Sequence, residues 1–142
     1  MTVLYRTRRV VEFADTDMAG IVHFSRFFVF MEQTEHAFWR ARGLSVHLER
    51  DGQRISWPRL DARCNFQSPV RFEDELEVIM RLEGRGRSSL TYAFDFVHGA
   101  RPVAQGQLKV ACCRCEPEGK MHAIPIPPFL DQHLQQSEAD RV

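Results

Sequence analysis

The chain has 142 residues, with 19 Lys and Arg against 19 Asp and Glu, 44% hydrophobic residues and no formal net charge at pH 7. This length and apolar fraction predict one globular domain over residues 1–142 and exclude an intrinsically disordered or collagen-like chain. The absence of net charge removes the broad positive surface that nucleic-acid binding or attachment to an anionic membrane requires.

The sequence also predicts the compartment in which the protein resides. No apolar stretch reaches the roughly 20 residues that a membrane-spanning helix needs. Arginines interrupt the N-terminal segment where a signal peptide needs an apolar core, so we expect a cytoplasmic protein without a membrane span. In that reducing compartment we expect the four cysteines to be free thiols in or near the core.

The first half of the chain predicts one strand and one helix. Residues 4–13 alternate apolar with charged side chains, which is typical of a half-buried strand. From Ser25, the candidate N-cap, apolar side chains recur every three or four positions. This spacing predicts an amphipathic helix of about four turns that ends near Gly43, with Glu35 among the intervening polar positions.

The second half of the chain predicts strands. Residues 55–66 contain Pro58, which favours an edge strand or a bulge. Residues 75–83, 89–98 and 102–115 follow, joined by glycine-containing turns, and predict an antiparallel meander.

The order of elements predicts an α+β domain. Because the predicted helix carries several phenylalanines, the sheet should wrap around it, and the open sheet edge should pair with a second copy. The proline-rich tail from residue 116 should end in a short helix or disorder.

The densest polar cluster lies between the first strand and the helix and contains Asp15, Asp17, Gly20 and His23. One carboxylate there could act as nucleophile or general base, while free N–H groups of the helix start hold a developing oxyanion. The alternative is structural: both aspartates are turn or capping residues, and Gly20 permits a positive φ. Composition and spacing leave both interpretations open.

A longer stretch of sequence around this cluster favours the catalytic interpretation over the structural one, because it resembles a known family. Residues 13–32 read F-A-D-T-D-M-A-G-I-V-H-F-S-R-F-F-V-F-M-E and resemble the signature of the hotdog-fold acyl-CoA thioesterases of the 4-hydroxybenzoyl-CoA thioesterase family, which includes Tol-Pal-associated members. The similarity continues at 71–76, 86–90, 102–110 and 124–127. It implies a curved antiparallel sheet wrapped around one long central helix. It also implies hydrolysis of an acyl-CoA to free acid and coenzyme A, with no cofactor because coenzyme A is part of the substrate.

The resemblance also implies catalytic residues. Asp17 matches the family's catalytic carboxylate, which attacks the thioester carbonyl or activates water toward it. Phe24 matches the position whose backbone N–H polarises that carbonyl, and His23 is given a supporting role, either in local hydrogen bonding or as an acid or base. We assign Asp15 to the turn and expect its replacement by Asn to cost little activity.

A second group of residues is implied in substrate binding. Gly20 lies in the catalytic loop, and Glu32 stands where relatives keep a carboxylate, although a solvent-facing role is the alternative. The family binds the coenzyme A nucleotide near the turn between the two long strands, which here contains Arg85, Arg87 and Ser88. Paired guanidinium groups suit phosphate oxygens, whereas exposed arginines are also common as solubilising residues.

Two other functions stay open at this point. A hotdog hydratase or dehydratase would exchange protons through His23 with Asp17 or Glu32, and a non-catalytic acyl-binding or scaffold subunit would keep only the fold. The acyl group, aromatic or aliphatic, is also open. No metal site is expected, and the predicted assembly is a homodimer or homotetramer with active sites at the subunit boundary.

Overall fold

The computed structural model describes residues 2–135. In chain order, its helices and strands are β1 (Thr2–Val10), α1 (Phe24–Ala41), β2 (Leu48–Arg50), β3 (Gln53–Ser56), β4 (Arg59–Phe66), β5 (Glu75–Arg85), β6 (Ser89–His98), β7 (Arg101–Ala111), β8 (Cys113–Cys115), β9 (Met121–Ala123) and α2 (Pro128–Leu134). A short 3-10 turn at Phe13–Asp15 follows β1. None of the helices within residues 2–135 is long and apolar enough to cross a membrane.

The strands form two antiparallel sheets. The larger has the order β1-β5-β6-β7-β4, and the smaller has the order β2-β3-β8-β9. Helix α1 packs against β1, β4, β5 and β7 of the larger sheet. The α+β class and the β5-β6-β7 meander are therefore confirmed, whereas a sheet wrapped around one long central helix stays a prediction.

Helix α1 buries one face in the core, as its apolar spacing predicts. Its buried apolar residues are Phe27, Phe30, Met31, Phe38 and Trp39. The prediction of Ser25 as N-cap is wrong by two positions: the helix begins at Phe24, and the Nδ1 of His23 accepts the Ser25 N–H at 3.2 Å. Gly43, with φ of 76°, ends the helix as predicted.

One glycine sets how closely α1 approaches the sheet. Gly106 on β7 faces the helix, and a Cβ at this position would overlap the thioether of Met31. Without a side chain, the strand backbone comes into direct contact with the buried face of α1.

Two predicted strands are each divided in the structure. The strand predicted over residues 55–66 is interrupted at Pro58, which separates β3 from β4, and β4 is an edge strand as expected. The strand predicted over residues 102–115 is interrupted at Cys112, and β8 leaves the larger sheet to pair with β3 and β9. The tail does form a short helix, α2, while residues 136–142 of the predicted tail lie outside the described residues.

The cysteines are free thiols, as expected for core or near-core positions. Cys112 and Cys113 are buried, and Cys64 and Cys115 are partly buried. Burial raises the pKa of Cys64 to about 11 and that of Cys112 to about 12. These two side chains therefore carry almost no thiolate at neutral pH.

Candidate active site

A tight loop between the 3-10 turn and α1 carries Asp17, and Asp15 is the last residue of the turn. Thr16 and Val22 form an isolated antiparallel bridge across its base. Within the loop, the Asp17 N–H donates to the Ile21 carbonyl at 2.9 Å. The Gly20 N–H donates to the Asp17 carbonyl at 2.9 Å, and Gly20 has φ of 80°, a conformation that other residues adopt only with strain. The backbone thus holds Asp17 in a closed turn.

The Asp17 carboxylate is only half engaged by this turn. Its Oδ1 accepts the Ala19 N–H at 2.8 Å. Its other oxygen has no hydrogen-bond partner among residues 2–135, and the side chain is partly exposed. One lone-pair-bearing oxygen is therefore available to a substrate.

The start of α1 supplies donors beside this loop. The His23 side chain caps the helix through Nδ1, which lies 2.7 Å from the Ser25 hydroxyl. The Arg26 N–H donates to the His23 carbonyl at 2.9 Å. In the described part of the chain, the Phe24 N–H has no such partner, which is the usual state of a first-turn amide. A free donor at the positive end of the helix dipole can bind an oxyanion.

Asp17 lies between two apolar cavities. The first, of about 410 Å³, is lined by Asp17, Ile21, Val22, Phe24, Phe27, Phe66, Gln67, Ser68, Pro69 and Val70. The second, of about 540 Å³, is lined by Phe13, Thr16, Asp17, Met18, Gly20 and Phe72. A carboxylate at the boundary of two cavities suits a substrate with a reacting centre in its middle and an arm on each side.

Asp15 lies in the 3-10 turn, as assigned, and its side chain is also buried. The Asp15 side chain is 1% exposed. Arg26 donates to its Oδ1 from Nε and Nη2, each at 2.8 Å, and the Glu12 N–H donates to its Oδ2 at 2.9 Å. Both of its buried oxygens are engaged by protein donors, so Asp15 is not available to a substrate.

The predicted nucleotide-binding residues lie at the opposite end of the sheet. Arg85 ends β5, and Arg87 and Ser88 follow in the hairpin, whereas the Asp17 loop packs beside the start of β5. Ten residues of strand correspond to about 33 Å, so within one chain the structure does not bring the hairpin to Asp17. Arg85 donates to Asp131 at 2.7 Å, while Arg87 is exposed.

Two glutamates near the middle of α1, Glu32 and Glu35, differ in burial. Glu32 is exposed and lines a third cavity, of about 290 Å³, away from Asp17. Glu35 is fully buried, and Arg59 donates to its two oxygens at 2.9 and 2.5 Å. Burial raises the pKa of Glu35, and Arg59 opposes this shift. The spacing of Glu35, four after Met31 and three before Phe38, was the signal that it shares the buried face.

Metal-ligating side chains do not gather at this site. Among residues 2–135, no three His, Cys, Asp or Glu side chains converge in a way that could hold a metal ion.

Comparisons with known proteins extend over most of the chain. A sequence model described as the thioesterase-like superfamily matches residues 11–134. The 1,4-dihydroxy-2-naphthoyl-CoA hydrolase of Synechococcus elongatus is 26% identical over 132 residues, 92% of this chain and 95% of that protein. A crystal structure of an Aquifex aeolicus protein of unassigned function has a TM-score of 0.82 at 28% identity, covering 92% of this chain and 99% of the other. A 1,4-dihydroxy-2-naphthoyl-CoA thioesterase from Synechocystis has the same fold, with a TM-score of 0.79 at 20% identity, covering 97% and 98%.

Proposed function

This chain belongs to the thioesterase-like superfamily, and from that premise we propose that it hydrolyses an acyl-CoA to free acid and coenzyme A at Asp17. The family membership confirms the resemblance read from residues 13–32 and makes the chain a thioester hydrolase. One observation carries the proposal. The half-free Asp17 carboxylate and Phe24, whose helix N-terminal amide is unpaired, line the same aromatic cavity.

The chemistry requires a carboxylate with a free oxygen. In the nucleophilic route, that oxygen attacks the thioester carbonyl, the C–S bond breaks, and coenzyme A leaves as thiolate; water then hydrolyses the resulting anhydride and restores Asp17. In the general-base route, Asp17 takes a proton from the attacking water and returns it to the thiolate. Both routes use the same oxygen.

The Phe24 N–H is the proposed oxyanion donor. Negative charge develops on the carbonyl oxygen in either route, and a fixed amide at the helix N-terminus stabilises it without reorganising. The side chain at this position is not needed for that contact. Phe24 also lines the first cavity, so its ring would instead shape the acyl site.

The thioesterase-like family match favours hydrolysis over hydration, and the contacts of His23 indicate its part in that reaction. Here Nδ1 is engaged by Ser25 as the helix cap, and the ring packs on Phe24 with centroids 4.6 Å apart. We therefore assign His23 the supporting role of holding the helix start beside Asp17.

The first cavity favours an aromatic acyl group. Three phenylalanines line it: Phe24, Phe27 and Phe66. Phe27 and Phe66 meet edge to face, with ring centroids 5.4 Å apart, an arrangement that accepts another ring well. The Synechococcus elongatus relative is named for an aromatic thioester, in agreement with this choice.

A homodimer formed through β4 would complete the site. This edge strand exposes Leu60 by 57% and Phe66 by 51%, and Phe24 beside it is 61% exposed. Both edges carry charged residues, but β4 exposes two large apolar side chains, whereas the other edge, β1, exposes one, Val10. Apolar side chains on an unpaired edge favour antiparallel pairing with the same strand of another copy.

That pairing would also bring the hairpin of a second copy to the Asp17 cavity, which the hairpin of the same chain does not reach. The Phe66 end of β4 adjoins the Asp17 cavity, whereas Arg59, at its other end, is linked through paired residues Val110 and Leu90 to Arg85. Antiparallel β4 strands place the Phe66 end of one copy beside the Arg59 end of the other. Arg87, Ser88 and Glu32 of a second copy would then border the Asp17 cavity, in their predicted substrate-binding roles.

The test is steady-state thiol release by the purified protein. The panel contains benzoyl-CoA and naphthoyl-CoA as aromatic esters, hexanoyl-CoA as an aliphatic ester, and crotonyl-CoA as a substrate for hydration. We expect free coenzyme A from all saturated or aromatic esters, with the highest kcat/KM for an aromatic one. Thiol release from none of them, or hydration of crotonyl-CoA faster than any hydrolysis, would overturn the proposal.

A further inference from the structure

The Asp15–Arg26 pair joins the two halves of the catalytic loop. The Asp15 carboxylate receives two N–H groups of Arg26, which lies in the first turn of α1. The Asp15 backbone carbonyl receives the His23 N–H at 2.9 Å. Its side chain and its backbone therefore both bind the helix start, from the strand side of the loop.

Asp15 is also anchored on the side from which the chain arrives. Its Oδ2 accepts the Glu12 N–H at 2.9 Å, and the Asp15 N–H donates to the Glu12 carbonyl at 2.9 Å. Arg9, on β1, has its Nη2 3.9 Å from the same carboxylate, and its guanidinium lies 4.0 Å from the centre of the Phe30 ring. One buried carboxylate thus connects β1, the 3-10 turn and α1.

The two reacting groups lie on either side of this connection. Asp17 follows Asp15 by two residues, and Phe24 follows His23 by one. Together with the Thr16–Val22 bridge and the Asp17–Ile21 hydrogen bond, the contacts of Asp15 therefore constrain the separation between the Asp17 oxygen and the Phe24 N–H. Catalytic groups must be held to within about 0.5 Å, and a displacement of about 1 Å can cost 10²-fold in rate.

We propose that Asp15 is a positioning residue for hydrolysis, which fixes Asp17 relative to the Phe24 amide through its pair with Arg26. The inference rests on the proposed function of Asp17. It reverses the expectation that Asp15→Asn costs little. An amide keeps the size but cannot hold two guanidinium N–H groups with a full charge, and it leaves the partly buried Arg26 cation without its counter-ion.

The experiment compares Asp15→Asn with Asp95→Asn. Asp95, on β6, accepts the Arg81 Nε at 2.9 Å, so the control removes a chemically similar pair on another part of the sheet. We expect Asp15→Asn to lower kcat by about 10²-fold with KM within threefold of the wild-type value. We expect Asp95→Asn to keep the wild-type kcat.

Variants of Arg26 provide a second test of the same pair. Arg26→Gln should lower kcat to a similar extent, and the double variant should lose no more than the worse single variant, because both changes break one connection. Arg26→Lys keeps the charge and should recover part of the rate. If Asp15→Asn does not fold, Arg26→Lys and Arg26→Gln carry the same comparison.

Hydrogen exchange of the His23 amide gives a readout independent of turnover. This N–H donates to the backbone carbonyl of Asp15, and Asp15→Asn weakens the Arg26 pair that holds the two segments together, so its exchange rate should rise at least tenfold relative to amides in β5. A kcat within threefold of wild type, an equal loss in Asp95→Asn, or unchanged His23 exchange would overturn the inference. Wild-type protein without thiol release would instead overturn the proposed function, and the exchange measurement would then test only whether Asp15 holds the helix start.

Discussion

The two ends of the larger sheet differ in how their charges are paired. At the end that holds the Asp17 loop, one carboxylate oxygen and one helix amide lack protein partners among the described residues, and two apolar cavities adjoin them. At the hairpin end, Glu35 is bound by Arg59 and Arg85 is bound by Asp131. Reactivity requires groups whose bonding capacity is unused, so the first end can perform chemistry and the second can support structure and binding.

The largest expected effect is a loss of turnover at the end of the sheet that holds the Asp17 loop. Asp17→Asn removes the anion at nearly constant volume, so kcat for the best substrate should fall by about 10² to 10⁴ while the fold and assembly are retained. Thiol release and circular dichroism check both parts. Asp95→Asn serves as the control, and near wild-type turnover in Asp17→Asn would rule out the proposed mechanism.

The next largest effect is a loss of stability at the hairpin end of the sheet. Glu35→Gln removes the buried carboxylate of the Arg59 pair and leaves the partly exposed Arg59 only Glu32, so we expect a loss near the low end for buried pairs, about 3 kcal/mol of unfolding free energy. Urea unfolding measures it. Glu32→Gln is the matched control: Glu32 lies 3.5 Å from the same arginine but is exposed, and its loss should stay below about 0.5 kcal/mol. Equal losses would refute this assignment.

A third variant separates the two ends by preventing the proposed β4 pairing. Leu60→Lys places a charge on that edge and should raise the dimer dissociation constant by roughly 10- to 100-fold. Light scattering over a concentration series measures the mass. Val10→Lys makes the same change on β1, where Val10 is 52% exposed, and should leave the mass unaltered. Dissociation by Val10→Lys alone would assign the interface to β1, and a monomeric wild-type protein would remove the dimer altogether.

The smallest expected effect is on KM and concerns the two arginines of the hairpin. Arg87→Ala should raise KM for acyl-CoA substrates about fivefold at constant kcat, because a phosphate contact far from the carbonyl is equal in ground and transition states. Arg85→Ala should raise KM less, since Arg85 is held by Asp131. Michaelis–Menten kinetics at two salt concentrations measure both. A loss of kcat at constant KM would show that the hairpin does not bind the nucleotide.

Local pattern was sufficient for much of the fold. Apolar spacing predicted α1 and its end at Gly43, alternation predicted the meander, and Pro58 predicted the edge position of β4. These features depend on contacts within a few residues or on a periodicity that the backbone itself imposes. The N-cap was missed by two residues because His23 has a side-chain acceptor that can cap as Ser25 does.

The sequence by itself therefore determined the family, the α+β class and the loop that carries Asp17, because a run of adjacent residues encodes each of them. Helix spacing placed Glu35 on the buried face, whereas tertiary structure decided that Asp15 is buried and which residues satisfy both acids. Glu35 is satisfied by Arg59, 24 positions away, and Asp15 by Arg26, 11 positions away. It also decided that the hairpin and Asp17 lie at opposite ends of one sheet. Partners and distances of this kind follow from strand order and long-range pairing, and local periodicity carries no record of either.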